Sequence, residues 1–219
     1  MQHTRKSPVE IGIAYLDQLS KAGKLPEAIA AAYAAGDKEV VIADYYSRKK
    51  VTVGPGILDF VLPSDQLLVG VTNIDKGKIP VGEFVVVLGI SVKYAFNSTS
   101  GGVGIEPASQ NYANSNFVQA IPQDFRNSEF TFKNGNRKIV ECLTENFIAN
   151  DGSASSNQIG AAEENMLMLP QPKLVTPDKQ LSVQFNVPAN SLATVNDATH
   201  NHFVEFRMFG IRLIDRTKG

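Results

Sequence analysis

The spacing of apolar positions divides the chain into a short helical start and a long series of strands. Ser7, Pro8 and Glu10 form a capping-box pattern, which places the start of a helix at Pro8. Apolar residues then recur at helical spacing until Gly23, so the pattern predicts a helix over about residues 8–21. The chain therefore opens with a helix that carries its own start and stop signals.

A second helix is predicted over Pro26–Ala35, because alanine has the highest helix propensity and Gly36 ends the segment. Each predicted helix carries only a narrow apolar stripe, which is too small to form a core. Both helices must therefore pack on something else, and we expect the stripes to be interface surface. The stripe residues are Ile11, Tyr15 and Leu19 on the first helix and Ile29 and Tyr33 on the second.

From Val40 onward the apolar period becomes that of strands, with β-branched and aromatic residues interrupted by Gly, Pro and Asn. Predicted strands lie at about residues 40–46, 50–54, 57–62, 66–74, 83–96, 128–133, 137–143, 166–169, 180–187 and 202–214. Because no helical pattern separates them, we expect a mainly β protein, an antiparallel β-sandwich built as a single jelly roll. The predicted domains are a short N-terminal helical arm at residues 1–50 and the jelly roll at residues 51–219.

The clearest turn is Asn134-Gly135, in a predicted hairpin. Two registers are open: a two-residue loop places Phe132 opposite Arg137, and a three-residue loop places it opposite Lys138. Prolines are expected where segments leave the sheet, and they include Pro170 and Pro172.

Charge and composition exclude several classes of protein. With 21 Lys and Arg against 22 Asp and Glu, the chain lacks the basic surplus typical of nucleic-acid-binding proteins. Apolar runs are too short to predict a transmembrane segment, and the polar start lacks a signal-peptide core, so synthesis in a cytoplasm is expected. The single cysteine, Cys142, can form neither an intramolecular disulfide nor a cysteine-based metal cage.

Two segments resemble metal sites without completing them. His200, His202 and Glu205 are spaced somewhat like the metal-binding strand of cupins, but strand parity places Glu205 on the opposite face from the two histidines. The segment 151–157 begins like a calcium loop, but its sixth position is not Gly and its twelfth is not Glu. We therefore expect no metal or other cofactor, and a cupin-like metalloprotein using His200 and His202 is the less favoured alternative.

The sequence also lacks a catalytic constellation. Its serines occur in no Gly-x-Ser-x-Gly elbow, and no histidine is placed as a general base, so we expect no enzymatic activity. Basic residues cluster at Arg48, Lys49 and Lys50, which are either solvated surface or a contact with an acidic partner, such as packaged nucleic acid or a neighbouring subunit. Tyr45 and Tyr46 are the aromatic residues beside this cluster, fewer than a single-strand binder interleaves.

Two groups of segments carry a family resemblance. The first group comprises Phe117–Pro122, Glu129–Asn136 and Ile139–Leu143, and the second comprises Leu167–Val175, Gln180–Pro188 and Phe203–Ile211. Together they resemble the second half of the jelly-roll capsid proteins of tailless icosahedral bacteriophages. The resemblance covers roughly residues 115–215, consists of strand pattern and turn placement, and excludes the N-terminal helices.

This resemblance implies a non-enzymatic structural protein of the virion, a capsid or vertex subunit synthesised in the host cytoplasm. Its implied partners are copies of itself and other virion proteins, bound through its long polar loops and its N-terminal arm. Contact with a packaged genome through the basic cluster is a secondary expectation. The alternative is a β-sandwich binding module for a carbohydrate or a receptor, although the absence of tryptophan counts against sugar stacking.

Overall fold

The computed structural model describes residues 7–51, 56–98, 115, 117, 121–147, 166–188 and 200–216. Its helices are α1 (Pro8–Lys21), α2 (Glu27–Ala34) and the four-residue α3 (Gln123–Arg126), and a 3-10 turn covers Thr144–Phe147. Its strands are β1 (Lys38–Val51), β2 (Gly56–Asp59), β3 (Phe84–Ser98), β4 (Glu129–Asn134), β5 (Arg137–Leu143), β6 (Met166–Val175), β7 (Leu181–Val187) and β8 (His200–Asp215). Among the described residues, no helix is long and apolar enough to cross a membrane.

The strands form two antiparallel four-stranded sheets. The first sheet has the order β1-β8-β3-β6, and the second has the order β2-β7-β4-β5. The first strand therefore pairs with the last, the second with the seventh, the third with the sixth and the fourth with the fifth.

The inner faces of the two sheets share one hydrophobic core. Phe206 on the first sheet reaches across to the second, where its ring lies 5.5 Å from that of Phe132 and 6.2 Å from that of Phe130 between centroids. Burial of these large aromatic side chains from both sheets is the main force that holds the sheets together. The predicted mainly β, sandwich-like fold is confirmed.

Helix α1 packs on the outer face of the first sheet. Its capping box forms as predicted, because Glu10 N donates to Ser7 Oγ (3.3 Å) and Ser7 N donates to Glu10 Oε2 (2.6 Å). Leu16 is fully buried against a cluster on β3 and β8 formed by Val86, Leu88, Ile211 and Leu213. The helix therefore covers one half of this outer face.

The predicted boundary at residue 50 is wrong, because residues 38–50 belong to the first sheet. They form most of β1, whose register with β8 runs from Lys38 opposite Asp215 to Val51 opposite His202. The helical segment ends at Ala34. Residues 40–51 form part of one continuous strand, and residues 52–55 lie outside the described part of the chain.

The strand predicted at 66–74 is also wrong, because the segment forms only isolated bridges. It runs along the free edge of β1, where Arg48 N donates to Val71 O (2.8 Å) and Asn73 N donates to Tyr46 O (3.2 Å). The Asn73 side chain also donates to Asp44 O (2.7 Å). The segment therefore protects an edge strand that would otherwise expose unpaired backbone groups.

The hairpin is confirmed, but both predicted registers are wrong. Phe132 lies opposite Val140, because a bulge between Phe132 and Lys133 shifts the pairing, and the turn is Gly135-Asn136. Asn134 stays in β4, where its side chain accepts a hydrogen bond from Thr176 N (3.2 Å). This tertiary contact outweighs the local preference for Asn-Gly at the centre of a turn.

Pro170 and Pro172 lie within β6 instead of ending it. The strand is at the edge of the first sheet, and its pairing with β3 is interrupted between Met168 and Lys173. Both prolines fall in this gap, where no ladder hydrogen bond needs their missing N–H.

The four connections β1–β2, β3–β4, β5–β6 and β7–β8 leave from one end of the two sheets. In the first sheet, the ends of β1 and β3 lie beside the start of β8. In the second sheet, the starts of β2 and β4 lie beside the end of β7. Residues 52–55 alone separate β1 from β2, which brings these two ends together. Three long polar segments of the sequence thus begin and end at the same end of the fold.

Candidate interaction surface

The half of the first sheet's outer face beyond α1 carries a charged cavity of about 330 Å³. Side chains along β1 alternate, so Ala43 and Tyr45 are buried in the core while Asp44, Tyr46 and Arg48 face outward. We call this feature the outer-face cavity; its lining residues are Asp44, Tyr46, Arg48, Lys93, Phe117, Glu205 and Arg207.

One ion pair joins β1 to β8 across the floor of the cavity. Arg207 Nε donates to Asp44 Oδ1 at 2.6 Å, and Arg207 Nη2 donates to Asp44 Oδ2, so the pair is bidentate. The hydrogen bond from Arg207 to Asp44 raises the pKa of the guanidinium further, against the opposing effect of burial. The two hydrogen bonds therefore fix the orientation of the Arg207 and Asp44 side chains, and the guanidinium group stays charged.

A second ion pair lies one step further along the same two strands. Arg48 Nε donates to Glu205 Oε2 (2.7 Å), Arg48 Nη2 lies 2.7 Å from the same oxygen, and the Glu205 side chain is only 5% exposed. The Arg48 guanidinium also lies 5.1 Å from the ring centroid of Tyr46 and 4.8 Å from that of Phe117. These contacts hold the planar cation firmly against the sheet.

Lys93 is the fifth charged group of the cavity. It lies on β3 directly opposite Glu205 on β8, yet it makes no ion pair with any residue that the structure describes. Two carboxylates and two guanidinium groups neutralise each other, so Lys93 leaves the cavity with one excess positive charge. The arrangement suits binding of an anionic group, because each of its carboxylates is already held by an arginine.

Beside the cavity, residues 67–69 form an exposed apolar turn, which we call the aliphatic tip. Its side chains Leu67, Leu68 and Val69 are 62%, 45% and 92% exposed. Two hydrogen bonds hold the backbone of this turn against β1: Arg48 Nη1 donates to Gly70 O (2.9 Å), and Gly70 N donates to Tyr46 Oη (3.3 Å). The cavity and the tip therefore share two of their supporting side chains.

The structure separates the three residues of the predicted basic cluster. Arg48 is paired with Glu205 inside the cavity, while Lys49 Nζ lies 3.0 Å from Asp65 Oδ1. Lys50 is exposed. Alternation along β1 turns Arg48 and Lys49 to opposite faces, so the three cations do not form one continuous basic patch.

Most residues of the predicted helical stripes take part in packing within the chain. Leu19 is buried, while Tyr15, Ile29 and Tyr33 are partly buried against the cluster under α1. Tyr33 Oη also donates to Asp17 Oδ1 (2.9 Å). Ile11 is the exception, since 43% of it is exposed.

The predicted separation of His202 from Glu205 is confirmed. His202 is buried and its Nδ1 is hydrogen-bonded to Tyr94 Oη in the core, whereas Glu205 faces the outer-face cavity. The side chain of His200 and the calcium-like segment 151–157 lie outside the described residues. Where the chain is described, no three His, Cys, Asp or Glu side chains come close enough to hold a metal ion.

A further polar cluster involves Tyr45, whose side chain lies on the other face of β1 from the outer-face cavity. Tyr45 Oη donates to Glu83 Oε2 (2.5 Å), and Arg212 Nη1 donates to the same oxygen (2.8 Å). Burial and the bond to Glu83 raise the pKa of Tyr45 to about 12. The phenol therefore acts as a neutral hydrogen-bond donor that is fixed in place.

Sequence reasoning missed Asp44, Lys93, Phe117 and Arg207 as members of one site. For the three charged residues a signal exists, because each stands between two apolar or aromatic neighbours: Ala43 and Tyr45 flank Asp44, Val92 and Tyr94 flank Lys93, and Phe206 and Met208 flank Arg207. The sequence alone could not predict that these residues meet in one site, because Asp44 and Arg207 lie near opposite ends of the chain. Only the strand order places them side by side. Comparison with known proteins adds no relative: no family model and no curated protein matches this chain.

Proposed function

We propose that this chain is a non-enzymatic structural subunit of a virion, built on a single jelly roll, that assembles with copies of itself. The observation that carries the proposal is the strand pairing, first with last, second with seventh, third with sixth and fourth with fifth. Such pairing arises when an eight-stranded chain folds in half as one long hairpin and wraps into two sheets. This pairing supports a jelly roll, an architecture found in viral capsid proteins, lectins and cupins.

Side-chain placement favours the first of these three uses. A cupin-like site needs His202 and Glu205 on one metal ion, but these side chains face opposite sides of the first sheet. A sugar-binding module needs exposed aromatic rings, whereas the most exposed large apolar side chains of the described residues are aliphatic or Met. Exposed aliphatic side chains fit contacts between protein subunits.

The loop arrangement and the charge also suit assembly. The strand ends that the long polar segments join lie at one end of the sheets, which suits contacts with neighbours through these segments. A net charge of −1 allows many copies to approach without strong mutual repulsion. A shared fold does not establish a shared function, so the experiment must measure assembly directly.

The experiment measures the mass of the purified chain by light scattering over a wide range of concentration, followed by negative-stain electron microscopy. The proposal expects growth in mass with concentration and rings or closed particles on the grid. A chain that stays monomeric at every concentration overturns it. Stoichiometric bound metal that is lost in His202→Ala would instead support the cupin alternative.

A further inference from the structure

We propose that the outer-face cavity and the adjoining aliphatic tip form the surface on which a second copy of this chain docks. The inference rests on the proposed function and specifies where the subunits meet. Three observations support it: the rigid exposure of the tip, the excess charge of the cavity and the continuity of the surface between them.

The aliphatic tip exposes apolar surface on a backbone that is held in place. Thr72 N donates to Leu68 O (2.9 Å) and Leu68 N donates to Thr72 O (3.1 Å), which closes the turn. The bonds from Arg48 and to Tyr46 then fix the turn to β1. A partner that covers Val69, which is 92% exposed, removes apolar area from water without first having to order the loop.

Charge complementarity favours a second copy of this chain as the partner. The cavity contains three cations and two anions, while the whole chain contains 21 Lys and Arg against 22 Asp and Glu. The rest of the chain is therefore net acidic, and the cavity is net basic. A carboxylate from a second copy can pair with Lys93, whose nearest charged cross-strand neighbour, Glu205, is already bound by Arg48.

The surface continues along β1 beyond the cavity. Ile42 lies on the same outward face as Asp44, Tyr46 and Arg48, and 62% of it is exposed. From Ile42 to Arg48 the strand spans about 20 Å at roughly 3.3 Å per residue. A charged centre flanked by apolar positions over this distance suits an interface that buries roughly 800 Å² on each partner.

The test compares the assembly of the wild-type chain with two interface variants and two matched controls. Val69→Asp places a charge on the tip, and its control is Val81→Asp at another exposed valine. Lys93→Glu reverses the excess charge, and its control is Lys24→Glu, an exposed lysine between the two helices. Circular dichroism and thermal unfolding check the fold of each variant, and Val69→Ser replaces Val69→Asp if the latter does not fold.

We expect Val69→Asp and Lys93→Glu each to raise the concentration at which light scattering detects assembly by about tenfold or more. Val81→Asp and Lys24→Glu should assemble like the wild type. If the wild type assembles and both interface variants assemble equally well, the docking surface is wrong although the proposed function stands. Equal loss in all four variants also overturns the docking surface, whereas a monomeric wild type overturns the proposed function itself.

Discussion

Tyr45 links a single hydroxyl group to the pH dependence of stability. Its pKa is raised to about 12 in the folded chain by burial and by the bond to Glu83, against 10.0 for a free tyrosine. The folded state therefore favours the protonated phenol, which stabilises the protein fully below pH 10. This contribution is lost as the pH rises from about 10 to about 12.

We expect Tyr45→Phe to lower the free energy of unfolding by about 1–2 kcal/mol at pH 7, because a hydrogen bond to a carboxylate is lost. The difference from the wild type should shrink between about pH 10 and about pH 12, because only the wild type carries this phenol, which ionises more readily in the unfolded chain. Urea unfolding of both proteins at each pH measures the difference. Tyr33, whose pKa is also raised to about 12 by burial and by Asp17, offers a comparison in Tyr33→Phe. A pH-independent difference for Tyr45→Phe would contradict the argument.

Local sequence signals at the residue scale were accurate where the interacting groups are close in the chain. The capping box of Ser7 and Glu10 spans three residues, and it forms as the pattern indicates. The pair Asp44 and Arg207 spans 163 residues, and only the order β1-β8 brings the two side chains together. The need for glycine at position 210 is likewise invisible in the sequence, because it comes from a neighbouring strand. The added Cβ of an alanine there would collide with the carbonyl oxygen of Val86 on β3.

At the scale of elements, the buried face of α1 differs from the predicted stripe in the first part of the helix. Pattern reasoning used Ile11, Tyr15 and Leu19, whereas the helix buries Gly12, Leu16 and Leu19, so the two sets share only Leu19. Gly12 is invisible to an apolar pattern, yet its lack of a side chain lets the helix approach Ile211 so closely that a Cβ would lie 2.9 Å from Ile211 Cδ1. Predicting this contact would have required knowing which sheet face the helix covers.

We expect Leu16→Ala to destabilise the protein by about 2–5 kcal/mol, because a fully buried side chain is replaced by a cavity between α1 and the first sheet. Ile11→Ala is the control on the same helix, and it should cost under about 1 kcal/mol because 43% of Ile11 is exposed. Denaturant unfolding of both variants measures the difference. Equal, small effects would mean that α1 is an independent arm after all.

At the scale of the whole molecule, the helices and the sheets share buried surface, and this changes what removal of the arm should do. A variant beginning at Asp37 retains β1 but uncovers Val86, Leu88, Ile211 and Leu213, which α1 buries. We expect it to expose an apolar sheet face and to aggregate or unfold at lower temperature than the full chain, because such a face is stable only when covered. Thermal unfolding followed by circular dichroism, with light scattering for aggregation, measures this.

A soluble variant that unfolds at the same temperature and fails only in assembly would mean that the helices are a detachable arm. The full chain carrying Ile11→Ala is the matched control, since it changes the outward side of α1 and leaves the sheet covered.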